Sequence, residues 1–141
     1  MKFTRYPKRD AIRNYFPMPK SIFRLGLTAG EILVYTYLMY CEDRKTFQCH
    51  PSYATIGEAV NMSNNTVAKH VEALVRKRLI TTERTTVKTR DGRTHNGSLL
   101  YTLCPLAPVE QAYFEKQIQQ ASARLNFKAA LEKYEKRKGG A

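Results

Sequence analysis

Two serines that open helices, with one asparagine between them, restrict the fold of this chain more than any other feature. Ser52 and Ser63 each stand directly before an apolar-periodic run, and serine is a favoured N-cap because its oxygen accepts a free backbone N–H of the first turn. Asn61 follows the last periodic residue of the first run, and asparagine best replaces glycine in the left-handed conformation by which a chain leaves a helix sharply. The spacing predicts one helix from Tyr53 to Val60, with Tyr53, Ile56 and Val60 on one face. A second follows with Val67, Val71 and Leu74 inward and an end near Arg78. Met62, just ahead of the Ser63 cap, is spaced to pack on Val67 as a hydrophobic staple.

The flanks extend this pattern. Thr28-Ala29-Gly30-Glu31 has capping-box spacing and opens a helix through Tyr40. Its residues Ile32, Leu33, Val34, Tyr35, Tyr37, Leu38 and Met39 are apolar nearly all round, which predicts a strut enclosed by neighbours. After the polar turn 42–45, Thr46 to Cys49 reads as a short strand. Leu79 to Arg90 and Ser98 to Leu103 alternate around the breaker run 91–97, a hairpin with a long basic tip and with Leu79, Val87, Leu99, Tyr101 and Leu103 inward. Pro105 and Pro108 close it. Val109 to Lys138 is helical in pattern, and the stripe Phe114, Ile118, Ala121, Leu125 shifts to Phe127, Leu131, Tyr134, predicting a break within 122–126. Residues 1–27 form a basic arm punctuated by Pro7, Pro17 and Pro19. A short helical turn ends at Gly26, and Phe16, Ile22, Phe23 and Leu25 are its anchoring cluster. The expected organisation is an arm over 1–27, a domain over 28–104 and a helical extension over 105–141.

Charge narrows the function. Among 141 residues, 24 Lys and Arg stand against 12 Asp and Glu, a net charge of +12 that points to nucleic acid as partner. No run approaches the roughly 18 apolar residues of a membrane span, so a cytoplasmic chain with no membrane partner is expected. Cys41, Cys49 and Cys104 lack the spacing of a disulfide framework or zinc site, and Cys49-His50 has no second ligand pair, so buried thiols and no metal or cofactor are expected. A phosphate-cradling glycine loop, a helical His pair and a nucleophile elbow are missing, while Asp43, Glu58, Glu72 and Asp91 are scattered over different elements. The chain reads as a non-enzyme.

Across residues 28–103 the sequence resembles the winged helix-turn-helix family of DNA-binding domains. The resemblance rests on Ile56-Gly57, on Asn61 where the family usually has Gly, on Ser63-x-x-Thr66-Val67, and on Leu74 followed by Leu79-Ile80. The Phe16-Pro17-x-Pro19 lead-in and Leu27-Thr28 are similar to small bacterial proteins of plasmids, phages and conjugative elements. The resemblance implies a mainly α fold with a small β-hairpin: a three-helix core plus wing, followed by a C-terminal helical extension. A recognition helix over about 64–78 would enter the major groove, braced by the helix before it, with Gly57 permitting their close crossing. Helical spacing turns Asn65, Lys69, Glu72 and Arg76 outward; Asn suits adenine and Lys guanine, while Glu72 either accepts from cytosine or repels phosphate. Ser52, Thr55, Ser63, Asn64 and Thr66 sit near helix N-termini as phosphate contacts, although capping alone explains the two serines. His70 lies at the edge of the inward face, as a packing residue or a phosphate contact. Lys88, Arg90, Arg93 and His95 in the wing 88–97 would reach the flanking groove or backbone. Two functions follow: a small transcriptional regulator on double-stranded DNA, dimeric through the C-terminal helix, or a replication-initiation or loading adaptor of a mobile element that recruits a replication protein. RNA is disfavoured, because A-form major grooves exclude a helix.

Overall fold

The computed structural model describes residues 15–139, so the part of the arm over 1–14 lies outside the described residues. Pro19 leads into a 3-10 turn, Lys20–Arg24, whose Ile22 is fully buried, and Leu25 follows it inward. Phe16 packs on Tyr40 with ring centroids 5.8 Å apart and the ring planes tilted by 57°. Phe23 departs from the expected cluster: it is 78% exposed, because the tight turn points it away from Ile22.

Helix α1 (Ala29–Cys41) begins with the full capping box, Thr28 Oγ1 accepting the Glu31 N–H while the Glu31 carboxylate accepts the Thr28 N–H. It buries Glu31, Val34, Tyr35 and Leu38 on one face only. Leu33 is 48% and Tyr40 65% exposed, so the helix is not enclosed on all sides as its composition suggested. A tight turn then brings Asp43 to bridge Gln48, and strand β1 (Gln48–Cys49) is shorter than expected because Phe47 takes a left-handed φ of 59°.

Helices α2 (Tyr53–Val60) and α3 (Asn64–Arg76) form the centre. Asn61 adopts φ 57°, and the Met62 N–H reaches back to the Gly57 carbonyl at 2.8 Å. This turn, rather than the helix crossing itself, explains Gly57: a Cβ there would lie 2.4 Å from the Met62 carbonyl oxygen, and only at ordinary contact distance from Val67. Ile56, Val67, Val71 and Leu74 are buried against α1 and the sheet, while Tyr53 and Val60 are half-buried. Helix α3 ends at Arg76, two residues before the expected boundary. Arg78 takes φ 64°, and the Arg78 and Leu79 N–H groups return to the carbonyls of Val75 and Leu74, a left-handed helix stop made without glycine.

The hairpin is divided in two. Strands β2 (Ile80–Glu83) and β5 (Leu100–Leu103) pair antiparallel and join β1 in a sheet of order β1-β5-β2. Leu79, Ile80, Tyr101 and Leu103 point into the core, and Leu99 is half-buried. Strands β3 (Thr86–Lys88) and β4 (Thr94–Asn96) form a separate ribbon. Val87 is 54% exposed rather than inward, since this ribbon has no layer packed on it among the elements of its own unit. Cys49 is buried, donating its S–H to the Leu38 carbonyl, whereas Cys41 and Cys104 are half-buried.

Helix α4 (Leu106–Gly139) belongs to a second unit that starts at Leu106. It runs unbroken for 34 residues, with Pro108 inside its first turn, where a missing N–H costs nothing. The expected break is absent, because 122–126 contains neither Pro nor Gly. The two-residue step from Leu125 to Phe127 instead moves the apolar stripe about 200° round the cylinder.

Lys77, just past the end of α3, donates to the Glu31 carboxylate at 2.7 Å and to the Gly26 carbonyl at 3.3 Å, tying the end of α3 to the start of α1. Burial pushes the Glu31 carboxyl up, but the Lys77 ammonium and the Thr28 N–H outweigh it and hold the pKa below the ordinary value. The pair therefore stabilises the fold fully above the ordinary carboxylate range, and the contribution is lost as pH falls through the lowered pKa. Replacing Lys77 with Met should cost about 1–3 kcal/mol near neutrality by leaving a buried carboxylate unpaired. The gap from wild type in urea melts should shrink in acid, and a gap that stays constant with pH contradicts the assignment. In the same melts Gly57→Ala should cost about 1–3 kcal/mol. Arg78→Gly, which relieves a left-handed non-glycine residue, should be neutral or stabilising by up to about 1 kcal/mol.

Candidate nucleic-acid interface

The two central helices start identically. Ser52 Oγ accepts the Thr55 N–H at 3.1 Å and lies 2.8 Å from the Thr55 hydroxyl; Ser63 Oγ accepts the Thr66 N–H at 3.2 Å and lies 2.9 Å from the Thr66 hydroxyl. Each hydroxyl pair shares one hydrogen internally, so each retains one O–H free to turn outward. Thr55 and Ser63 are exposed, and Ser52 and Thr66 are half-buried. The caps are thus structural and still offer a donor beside the N–H groups of a helix N-terminus, a favourable place for an anion.

Along α3, Val67, Val71, Ala73 and Leu74 are buried, and the face opposite Val67, Val71 and Leu74 carries exposed Asn65, Lys69, Glu72 and Arg76, while Asn64 is exposed as the first residue of the helix. These side chains fall on adjacent turns and make one continuous polar strip. His70 lies elsewhere: it is half-buried, with its imidazole where a Cβ on Gly30 would be, 2.2 Å from that position. It packs on the start of α1.

In the β3–β4 ribbon, Lys88, Arg90, Arg93 and His95 are all exposed. The tip closes with the Thr89 N–H on the Arg93 carbonyl and the Gly92 N–H on the Thr89 carbonyl, and Gly92 has φ 74°. Arg84 adds a further exposed cation just before the ribbon, and Asp91 is its one acid.

Sequence reasoning left Glu72 unassigned, yet it stands in the middle of the exposed strip, between Lys69 three residues before it and Arg76 four residues after. It borders a cleft of about 540 Å³ between α2, α3 and the foot of the wing, together with Tyr53, Arg76 and Thr82. Burial, and then the Glu72 carboxylate, raise the Tyr53 phenol above its ordinary pKa. The signal available in the sequence was its spacing from two cations on one helix face. Among the described residues no group of three or more His, Cys, Asp or Glu side chains is placed to hold a metal ion.

A helix, a short edge strand, two further helices and a paired ribbon, in this order, make a winged helix-turn-helix fold with a C-terminal helical extension. Residues 25–80 match the family model described as a helix-turn-helix domain. A structure from Methanosarcina mazei Go1, described as a possible transcriptional regulator, aligns with TM-score 0.51 at 15% identity, over 84% of this chain and 86% of that one. The zinc-responsive MarR family member ZitR of Lactococcus lactis aligns with TM-score 0.42 at 20% identity, over 82% and 74%. The YusO protein of Bacillus subtilis aligns with TM-score 0.41 at 17% identity, over 86% and 82%. No curated protein matches the sequence.

The capping role is testable by itself. Ser63→Ala should lower stability by about 1 kcal/mol in urea melts without any ligand present. A variant with unchanged stability removes the structural role.

Proposed function

We propose that this protein is a small transcriptional regulator that binds double-stranded DNA, with α3 in the major groove, α2 braced across the backbone and the β3–β4 tip on the flanking groove or phosphates. One observation carries the reading: α3 buries Val67, Val71 and Leu74 in the core and leaves Asn65, Lys69 and Arg76 exposed in a row on the opposite face. A lone helix fits the major groove, which is about 12 Å wide, and Asn and Lys offer hydrogen bonds to purine edges there. Ser52, Thr55, Ser63, Asn64 and Thr66 supply phosphate contacts near helix N-termini, and Lys88, Arg90, Arg93 and His95 supply them from the wing. His70, half-buried against Gly30, is the least accessible member of this set. A net charge of +12 favours the approach to a polyanion. The fold likeness to a possible transcriptional regulator supports the choice of regulation as the role.

Helix α4 enters the reading as a self-association element. Taken by itself, a single helix has nothing to bury Phe114, Ile118 and Leu125 against, and pairing with a second copy would shield them and set two groove helices on a two-fold target.

Lys69→Ala should lower discrimination between duplex sequences, whereas Arg93→Ala should weaken binding to all duplexes alike and reduce the salt slope by about one unit. Fluorescence anisotropy over a salt series, on a panel of duplexes, reads both effects. Identical behaviour of the two variants contradicts the division between helix and wing.

A further inference from the structure

Two of the three cysteines, eight positions apart in the chain, meet at one cavity. Cys41 is the last residue of α1 and Cys49 the last of β1. The Asp43–Gln48 bridge, with the Asp43 N–H on the Gln48 carbonyl at 2.9 Å, turns the chain back on itself, so that Glu42 comes opposite Cys49 and Cys41 stands one position further along. A second contact acts in the same direction. The Cys49 S–H donates to the Leu38 carbonyl at 3.5 Å, and a helical carbonyl points along the axis towards the next turn, here the turn that holds Cys41. Both cysteines line a cavity of about 530 Å³, with Tyr37, His50 and Thr55 also on its wall, and Cys104 is not part of that wall.

The two thiols differ in their surroundings. Cys41 is half-buried, so a small oxidant in solvent reaches its sulfur from the cavity. Cys49 is 5% exposed, and burial, with the neighbouring Cys41 and Glu42 charges adding to it, pushes its thiol up to about 12, which keeps it protonated and slow to react with anything in solvent. The Tyr37 phenol lies one turn before Cys41 on the same helix face, and the Cys41 thiol, ahead of burial, is the first cause of the rise in its pKa. A phenol held protonated at that place is a hydrogen-bond donor to the Cys41 sulfur when it carries negative charge.

We propose that Cys41 and Cys49 form a peroxide-responsive thiol pair, in which Cys41 is the site of oxidation and Cys49 the thiol that closes the bridge. In the first step the Cys41 sulfur attacks one oxygen of hydrogen peroxide, the O–O bond breaks, and the other oxygen leaves as water, giving a sulfenic acid. In the second the Cys49 sulfur attacks the Cys41 sulfur, the S–O bond breaks, and the oxygen leaves as a second water with the Cys49 proton. Two thiols and one peroxide thus become one disulfide and two waters. The bond replaces the Cys49–Leu38 hydrogen bond and joins the end of α1 to the strand that leads through His50 and Pro51 to the Ser52 cap. The pair uses no residue of the outward strip of α3 and stands apart from the DNA-binding reading.

The test treats the full chain with hydrogen peroxide and maps its disulfides by mass spectrometry. Arg44 and Lys45 lie between the two cysteines, so trypsin releases them on different peptides that stay joined only through a bond between them. Wild type should lose the mass of two hydrogens and yield that joined pair, and dithiothreitol should reverse both changes. Cys104→Ser should behave as wild type. Cys49→Ser should stop at the sulfenic acid, trapped on Cys41 by dimedone, whereas Cys41→Ser should form no bridge and its Cys49 should oxidise about tenfold more slowly than Cys41 does in wild type. Circular dichroism verifies the fold of the variants, and the wild-type map decides even where substitution of the buried Cys49 prevents folding. A wild-type bridge that includes Cys104, Cys41 carried on to the sulfinic acid while Cys49 stays a thiol, or no change of mass under peroxide overturns the proposal.

Discussion

The turn at residues 57–63 sets what the rest of the molecule can do. Asn61 in the left-handed region and the Met62 N–H returned to the Gly57 carbonyl fix how α2 gives way to α3. A side chain on residue 57 would collide with the Met62 carbonyl oxygen, so the turn closes only because nothing is there. With the turn fixed, Val67, Val71 and Leu74 must fall inward, and Asn65, Lys69, Glu72 and Arg76 are left outward by the 3.6-residue period. The exposed strip is a consequence of the packing rather than an addition to it.

A second constraint acts at the other end of the same helix. The Lys77 ammonium spans from α3 to the buried Glu31 carboxylate and the Gly26 carbonyl, so the capping box of α1 and the stop of α3 share one charge network. His70 seated on Gly30 closes the same junction about two turns earlier. Helix α3 is thus held at its start by a backbone turn and at its end by an ion pair, which keeps its outward face rigid without using any residue of that face.

What could be read from the sequence was chemistry that acts locally. Thr28, Ser52 and Ser63 cap helices because a short polar side chain competes for a nearby N–H in any context, and Asn61 tolerates positive φ for similarly local reasons. The outward set on α3 followed from periodicity once Val67, Val71 and Leu74 were assigned inward. What escaped depends on tertiary surroundings. Arg78 and Phe47 adopt left-handed backbone without a residue type that announces it. Alternation placed Val87 inward, but the ribbon separates from the main sheet after Glu83 and the inward direction ceases to exist. The apolar circumference of α1 could not tell a helix surrounded by protein from one with Leu33 and Tyr40 left open. In α4 a change of apolar face looked like an interruption, although no residue there breaks a helix. Glu72 was the ambiguous case, since an exposed glutamate is common on helices and acquires meaning only from what the surface meets.

The central claim is that the outward strip of α3 and the tip of the β3–β4 ribbon meet duplex DNA on one side of the molecule. Titrating a short duplex into isotopically labelled protein and following the backbone amide resonances tests this most directly. The account predicts shifts concentrated at residues 63–76 and 88–97, with the amides of β1 and β5 nearly still. Shifts centred on the exposed aromatic side of α1, or spread without focus over the whole chain, would contradict it.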